Sequence, residues 1–519
     1  MTDMDEAAAA ATPPAQPRKQ AAPERAGATA APSEADPGPA IGAAETPPLP
    51  ATISNAPAVY PPRVLPPAKP IAFPRFLFHF VRNPLEVLPE AVYHQDVTSV
   101  TSVVRLSWIC APDLIEQVLV RDRALYPKTP IERRVLSPLL GDGLLTARDE
   151  VWRWQRQAMA PLFRQATLLG YVPAMVAAGE AQVARWREAL DGSPDGVLRE
   201  DIEAPITAMT FEVITSTVLT GGAPPIERII ERATGDYLGP ISWPIAYSLI
   251  NLPRWAPFPG QRAMRRAERD LRRGVGELID TRRAEIARGA PVADDILTRM
   301  LGTRTPEGEP WPRALLIDAL LTLVSAGHET TAKALTWALY LLARAPAWAD
   351  ALAAEADAAM REGALDGESV ATDLPLTQAF LRETMRLYPP GPVLTRYACE
   401  DTQLGAHRMH KDQLVVVPIY ALHRHRKLWR DPDRFDPSRF LGPQGVYPRT
   451  QYMPFGAGAR VCIGASFAML EATALLATLA RGFRFAPGVD AKGREHQPKP
   501  ISRVTLRPKG GMPLVIRAR

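Results

Sequence analysis

Cysteine is scarce: three residues in 519, at positions 110, 399 and 462. An odd number so widely spaced does not make a disulfide framework and fits a reducing compartment, so a cytoplasmic location is expected. No run of about 18 uncharged apolar residues occurs, and no transmembrane anchor is expected. The chain opens MTDMDEAAAA, without the basic-then-apolar order of a secretory leader. Charge of one sign is also lacking. With 61 basic against 56 acidic residues the formal net charge is +5, and no concentrated basic run appears. That speaks against a nucleic-acid partner. Neither a CxxC nor an HxxxH pair accompanies any cysteine, so a zinc site is a poor reading.

What is present divides the chain in two. Residues 1–70 hold 16 of the 54 prolines, much alanine and no hydrophobic period. Such a segment buries too little apolar surface to offset its ordering entropy and reads as a disordered Ala/Pro-rich tail. From residue 71 to 519 helical periodicity dominates, in RWQRQAMAPLFRQA, EAQVARWREAL, RAMRRAERDLRRGVGELIDTRRAEIA and RALLIDALLTLVSAGHETTAKALTWALYLLARA. Shorter stretches, VTSVVRLSWI, DQLVVVPIY and TLRPKGGMPLVIRA, read as strands. The expected fold is one mainly α domain with small β-sheets. The apolar passage from Leu238 to Gly260 is broken by five prolines, and reads as a connection or lid packed over the core.

The segment FGAGARVCIG, residues 455–464, places Cys462 among glycines 456, 458 and 464, two residues after Arg460. Glycine permits tight turns and close approach to something flat or bulky. The helical sequence ASFAMLEATALLATLARGF follows, so the cysteine precedes a helix N-terminus, where free N–H groups and the dipole favour an anionic sulfur. One thiolate without protein co-ligands points to haem. A dinucleotide loop is excluded because Val461 stands where the third glycine of GxGxxG belongs.

Phe455, Gly458, Arg460, Cys462 and Gly464 match F-x-x-G-x-R-x-C-x-G, and the chain here resembles the cytochromes P450. Ala459 departs from the proline common before that arginine. Three further segments follow the family's order. LRETMRLYPP gives Glu383 and Arg386 at i and i+3 on one helix face, and DPDRFDPSRF supplies Arg439 as the expected third member of a structural network. SAGHETT places Gly327, Glu329 and Thr330 in a long apolar helix, with His328 read as a packing or surface residue. Trp152 and Arg156, four apart, resemble the family's propionate-binding pair, with Arg396 after YPPGPVLTR and Arg460 as further propionate arginines.

The resemblance covers residues 71–519 and implies a P450 fold, with haem between a long oxygen-side helix and the helix after the cysteine loop. It implies haem b (iron protoporphyrin IX) bound by Cys462, Phe455, Trp152, Arg156, Arg396 and Arg460, with Cys462 on the iron. Thr330 and Glu329 would be the catalytic alcohol and acid that deliver protons at the dioxygen site, and Gly327 would loosen the helix there. Leu323, Ala326, Val393 and Leu394 would wall an apolar pocket closed by residues 125–140. A fatty acid, terpenoid or steroid is the expected substrate class, and Arg133 or Arg134 is a candidate carboxylate anchor set against plain solvated charge. Too little chain follows Cys462 for a flavin reductase, so a separate carrier is expected. A ferredoxin with its reductase is favoured over a flavodoxin, docking near Arg153. The competing functions are a peroxide-using or isomerase-like haem-thiolate enzyme, a non-catalytic haem sensor and a structural helical protein without haem. Cys110 and Cys399 are expected to be small core residues.

Overall fold

The computed structural model describes residues 49–519 except 68–70, 72, 102–104, 221–232, 234, 251, 254 and 491. Its organising element is the helix Arg313–Arg344, which is apolar on almost every side and therefore buried along most of its length. Around it pack the helices Glu203–Thr217, Gln261–Ala287, Pro375–Leu387 and Ala465–Gly482. The last of these is itself flanked by Val172–Asp191 and Pro346–Ala358. The helix that follows the cysteine loop therefore packs directly on the long central one. No helix is long and apolar enough to cross a membrane among the described residues.

The sheets are small, as expected, and lie at the edges of this helical body. Val97–Thr101, Arg105–Ile109, Leu414–Val417 and Leu394–Tyr397 form one sheet in that order. Opposite Arg396 in the register stands Val415, so the sheet fixes the height at which that arginine leaves the backbone. The carboxyl-terminal stretch forms two strands in two different sheets. Leu506–Lys509 pairs with Lys499–Ser502, whereas Pro513–Ala518 lies between Leu198–Asp201 and Phe483–Pro487.

Three expectations are corrected. Residues 49–67 were assigned to the tail, yet they pack on the body. Ile53 and Val64 are buried, Val59 bridges to Phe435, and the Tyr388 hydroxyl donates to the Pro62 carbonyl at 2.7 Å. Proline-rich chain without periodicity can still be ordered when individual apolar side chains find slots in an existing core. Residues 1–48 lie outside the described residues. The single helix read from RWQRQAMAPLFRQA is broken: Asp149–Met159 gives way to a short tight turn at Ala160–Phe163, then to Gln165–Leu169. Pro161 lacks the N–H needed to continue the ladder. Finally, Cys399 is not a core residue: it is partly exposed, whereas Cys110 is fully buried as expected.

Candidate functional site

The cysteine loop is closed by its own backbone. Cys462 N–H donates to the Phe455 carbonyl at 3.0 Å, Val461 N–H to Gly458, and Gly456 N–H to Met453. Gly456 and Gly458 both have positive φ, +77° and +74°. At Gly458 a Cβ would come within 2.3 Å of the Leu119 carbonyl oxygen, so only glycine fits. Arg156 reaches the loop from the Asp149–Met159 helix and donates to the Val461 carbonyl at 2.9 Å. The Cys462 side chain is exposed, yet protein around the sulfur pushes its thiol pKa up. The Gly464 N–H and Arg156 oppose the rise, and both would favour thiolate.

Behind the loop, Glu383 and Arg386 are fully buried and joined by two hydrogen bonds of 2.7 Å. Arg386 also donates to the carbonyls of His423, Pro432 and Arg434, so its fork is saturated. Glu383 accepts in addition from Asp436 N–H, and Arg439 Nε lies 3.5 Å from it. The three predicted network residues are thus brought together, and the extra donors and acceptors meet the condition for burying an ion pair. The chain of contacts then runs to the loop: His423 Nε2 accepts the Met453 N–H at 3.0 Å, two residues before Phe455. Burial, with Arg386 and Arg424 nearby, holds the His423 pKa down at about 3, so it is the neutral acceptor this bond needs.

In front of the loop is a cleft of about 490 Å³ lined in part by Lys128, Trp152, Arg396 and Arg460. The Arg460 guanidinium lies over the Trp152 ring, 4.4 Å from its centroid. One of its nitrogens, Nη1, is buried and has no hydrogen-bond partner among the described residues. Burial, then the nearby Arg396, pushes its pKa down to about 10. Arg396 is likewise lowered by burial and donates only to the neighbouring Thr395 carbonyl. Lys128, lowered by burial as well, is joined to Glu132. Lys128, Arg396 and Arg460 thus face two carboxylates, Glu132 and Asp149, of which only Glu132 makes a direct pair, so an added anion would be favourable there. Carboxylates of a flat cofactor seated against the glycine loop satisfy that charge.

The central helix has an open stretch of its own. Ala326 is exposed and Leu323 partly so, midway along a helix otherwise almost wholly buried, which is how a cavity-lining stretch behaves. Val393 is 41% exposed, and Leu394 lies 3.7 Å from where a Gly456 side chain would begin. The helix runs unbroken through Gly327. The expected loosening there is replaced by side-chain donors: Thr330 Oγ1 donates to the Ala326 carbonyl at 2.8 Å, and Thr331 Oγ1 to Gly327 at 3.2 Å. Glu329 is buried and does not stand alone. Its Oε1 accepts from Thr505 at 2.8 Å and from Arg507 at 2.6 Å. His328 packs edge-on against Phe211 and hydrogen-bonds the Val324 carbonyl, the packing role expected.

The segments around residues 125–140 and 238–260 are tied together. Helix Pro130–Leu140 receives the Tyr237 hydroxyl on its Val135 carbonyl, and Arg134 donates to the Leu252 carbonyl. Arg133 pairs with Asp142. Both arginines therefore have protein partners. Arg153 is exposed beside the cationic cleft. Sequence reasoning missed Lys128, His423 and Arg507. Lys128 sits in a loop with no period, and the other two act on residues 30 and 178 positions away.

A family model described as Cytochrome P450 matches residues 96–515. A putative cytochrome P450 132 of Mycobacterium tuberculosis is 32% identical, covering 79% of this chain and 87% of its own. Cyclooctatin synthase of Streptomyces melanosporofaciens is 31% identical, covering 82% and 90%. Pentalenene oxygenase of Streptomyces avermitilis is 29% identical, covering 80% and 90%. Loop, buried network, cationic cleft and sequence agree, and the chain belongs to the cytochrome P450 family of haem-dependent monooxygenases.

Proposed function

We propose that this enzyme inserts one atom of dioxygen into an apolar organic substrate of the fatty acid, terpenoid or steroid kind, with electrons from a separate ferredoxin and its reductase. The observation that carries the reading is the exposed Cys462 thiol beside a cleft in which the partly buried Arg460 and Arg396 have no ion-pair partner among the described residues. Cys462 has no co-ligand group around it, and Arg460 and Arg396 are in no ion pair, among the described residues. That donor set fits haem b: Cys462 would bind the iron, and Arg396, Arg460 and Lys128 would take the propionates. Trp152 would hold Arg460 flat, and Arg156 would hold the loop.

Bound haem supplies dioxygen activation, which a thiolate ligand favours by pushing electron density towards O–O cleavage. The chain's own residues shape the rest. The Thr330 hydroxyl, whose proton lies on the Ala326 carbonyl, can turn to hold a proton at the oxygen site. Glu329 is buried, and its ion-pair partner Arg507 has a side chain 26% exposed, so Arg507 would hold the carboxylate at the edge of solvent, where water can exchange protons with it. Leu323, Ala326, Val393 and Leu394 offer no hydrogen bond from their side chains, which favours an apolar substrate and keeps water out. The names of the relatives cyclooctatin synthase and pentalenene oxygenase support a cyclic hydrocarbon-like substrate. Arg153, exposed beside the cleft, suits an acidic carrier.

The test is turnover under isotopically labelled dioxygen, with a surrogate ferredoxin, its reductase and a panel of apolar compounds. The reading expects one labelled oxygen atom in the product. Product labelled from water sinks it, and equal turnover with peroxide and no carrier would favour the peroxide-using alternative.

A further inference from the structure

The helix Pro130–Leu140 ends at a junction with two others. Its Leu139 carbonyl accepts from Arg272 Nη1 at 2.9 Å, and Arg272 comes from the long helix Gln261–Ala287. The other guanidinium nitrogen, Nη2, lies 2.8 Å from Asp318 Oδ1 on the central helix. Asp318 is buried, and its second oxygen accepts the Asp142 N–H at 2.9 Å. The loop 141–143 is pressed onto the same place: a Cβ on Gly143 would lie 2.2 Å from Thr322 Oγ1. Thr322 adjoins Leu323, where the open stretch of the central helix begins.

These ties differ in strength. The loop is held from a further side, since the wholly buried Gln155 donates to the Asp142 carbonyl at 2.8 Å and Thr146 to the Gly141 carbonyl at 2.8 Å. Arg272 holds less firmly. Its side chain is 30% exposed, and its contact with Asp318 is close without being aligned as a hydrogen bond. Water competes for such a pair. Between the firm tie and the loose one stands Gly141, at φ +52°, where glycine lets the chain turn. We propose that Arg272 and Asp318 form a latch. Paired, they hold the helix Pro130–Leu140 against the open stretch at Leu323 and Ala326; when Arg272 lets go, the helix swings on Gly141 and admits substrate. It carries the neighbouring segment along, since Tyr237 donates to Val135 and Arg134 to Leu252. Arg272 and Asp318 touch no reacting atom; they position the helix and so set the rate of ligand entry. This rests on the reading that Leu323 and Ala326 wall the substrate pocket. A latch blocks exit as it blocks entry, so loosening it multiplies both rates by one factor and leaves affinity unchanged. Damage to the pocket itself speeds exit alone.

The experiment has two arms on the holoenzyme, comparing wild type with Arg272→Leu, Arg272→Lys and Asp318→Asn. Hydrogen exchange is read by mass spectrometry, and entry by stopped-flow absorbance of clotrimazole, a bulky azole, binding the ferric haem. In Arg272→Leu, amides in the last turns of Pro130–Leu140 should exchange about 10-fold faster, the loss of one charge-assisted hydrogen bond, while those of Arg313–Arg344 stay as they were. Clotrimazole should enter and leave about 10-fold faster, with its affinity within about twofold of wild type. Arg272→Lys can still reach one partner, and Asp318→Asn still accepts the Asp142 N–H, so both should fall between; they decide the matter if Arg272→Leu does not fold. Unchanged exchange in that helix, unchanged azole rates, or a faster exit alone overturns the latch. The exchange arm needs no haem chemistry, so a wild-type protein that binds no azole contradicts the proposed function while exchange still decides the latch.

Discussion

Arg460 lies 4.4 Å above the centroid of Trp152, with one guanidinium nitrogen buried and unpartnered. A ring face stabilises a cation but takes up none of its N–H donors, so Arg460 is held in place and still has hydrogen bonds to give. The arginine is therefore preorganised for an anion that the protein does not itself provide. Arg460→Ala should raise the rate of haem loss roughly 10- to 100-fold, the value of one charge-assisted hydrogen bond. Trp152→Phe keeps a ring face and should do much less. Haem transfer to an excess of apomyoglobin measures both rates, and equal effects would mean that the stacking is incidental.

Gly458 and Gly327 look alike in sequence and should behave differently. Gly458→Ala meets positive φ and the rigid Leu119 carbonyl, and should cost about 2 kcal/mol or more while weakening the thiolate spectrum. At Gly327 an added Cβ would meet only the tip of Ile214, 2.6 Å away, which can turn aside. Helix propensity favours alanine there, so Gly327→Ala should change stability by less than about 1 kcal/mol. Urea denaturation of the holoproteins decides, and similar losses at both positions would contradict the account.

Removing one partner of the buried Glu383–Arg386 pair should be severe. Glu383→Gln leaves Arg386 charged and fully buried, and is expected to cost about 3 to 5 kcal/mol. A loss below about 1 kcal/mol in chemical denaturation would show that the pair is relaxed and wet in solution.

His423 gives a pH dependence. Its pKa is near 3 when folded and 6.5 when free, so between those values the unfolded chain binds the extra proton. Stability from this group is present above pH 6.5 and is lost as pH falls towards 3, by roughly 1.4 kcal/mol per unit. His423→Gln, whose carbonyl can still accept the Met453 N–H, should flatten that part of the profile. An unchanged acid slope in the variant would assign the loss to other groups.

The route through Glu329 predicts a kinetic defect without a spectral one. Arg507→Ala removes the 2.6 Å partner of Glu329 and should lower turnover about 10- to 100-fold while leaving the carbon monoxide spectrum intact. A loss of the thiolate band in this variant would make Arg507 a structural residue.

How much of this was legible depended on distance along the chain. The Cys462 loop and the Glu383–Arg386 pair are written within a few residues, as spacing that only certain backbones satisfy, and the structure assembles both. Arg156 was read as a propionate ligand, and its hydrogen bond instead goes to the Val461 carbonyl. A helix spacing gives a side chain's face but not its partner. Arg507 was invisible because its strand meets Glu329 only after the whole domain has folded. The order of residues 49–67 was invisible for a related reason: Val64 owes its burial to slots made elsewhere, and composition reports only what a segment could bury alone.

The account's central claim is that Cys462 binds haem iron as a thiolate, and the absorption spectrum of the reduced protein under carbon monoxide tests it most directly. The strongly red-shifted Soret band that names the family is the expected result, abolished in Cys462→Ala. No haem band in fresh protein, or one typical of histidine or neutral thiol ligation, would contradict it.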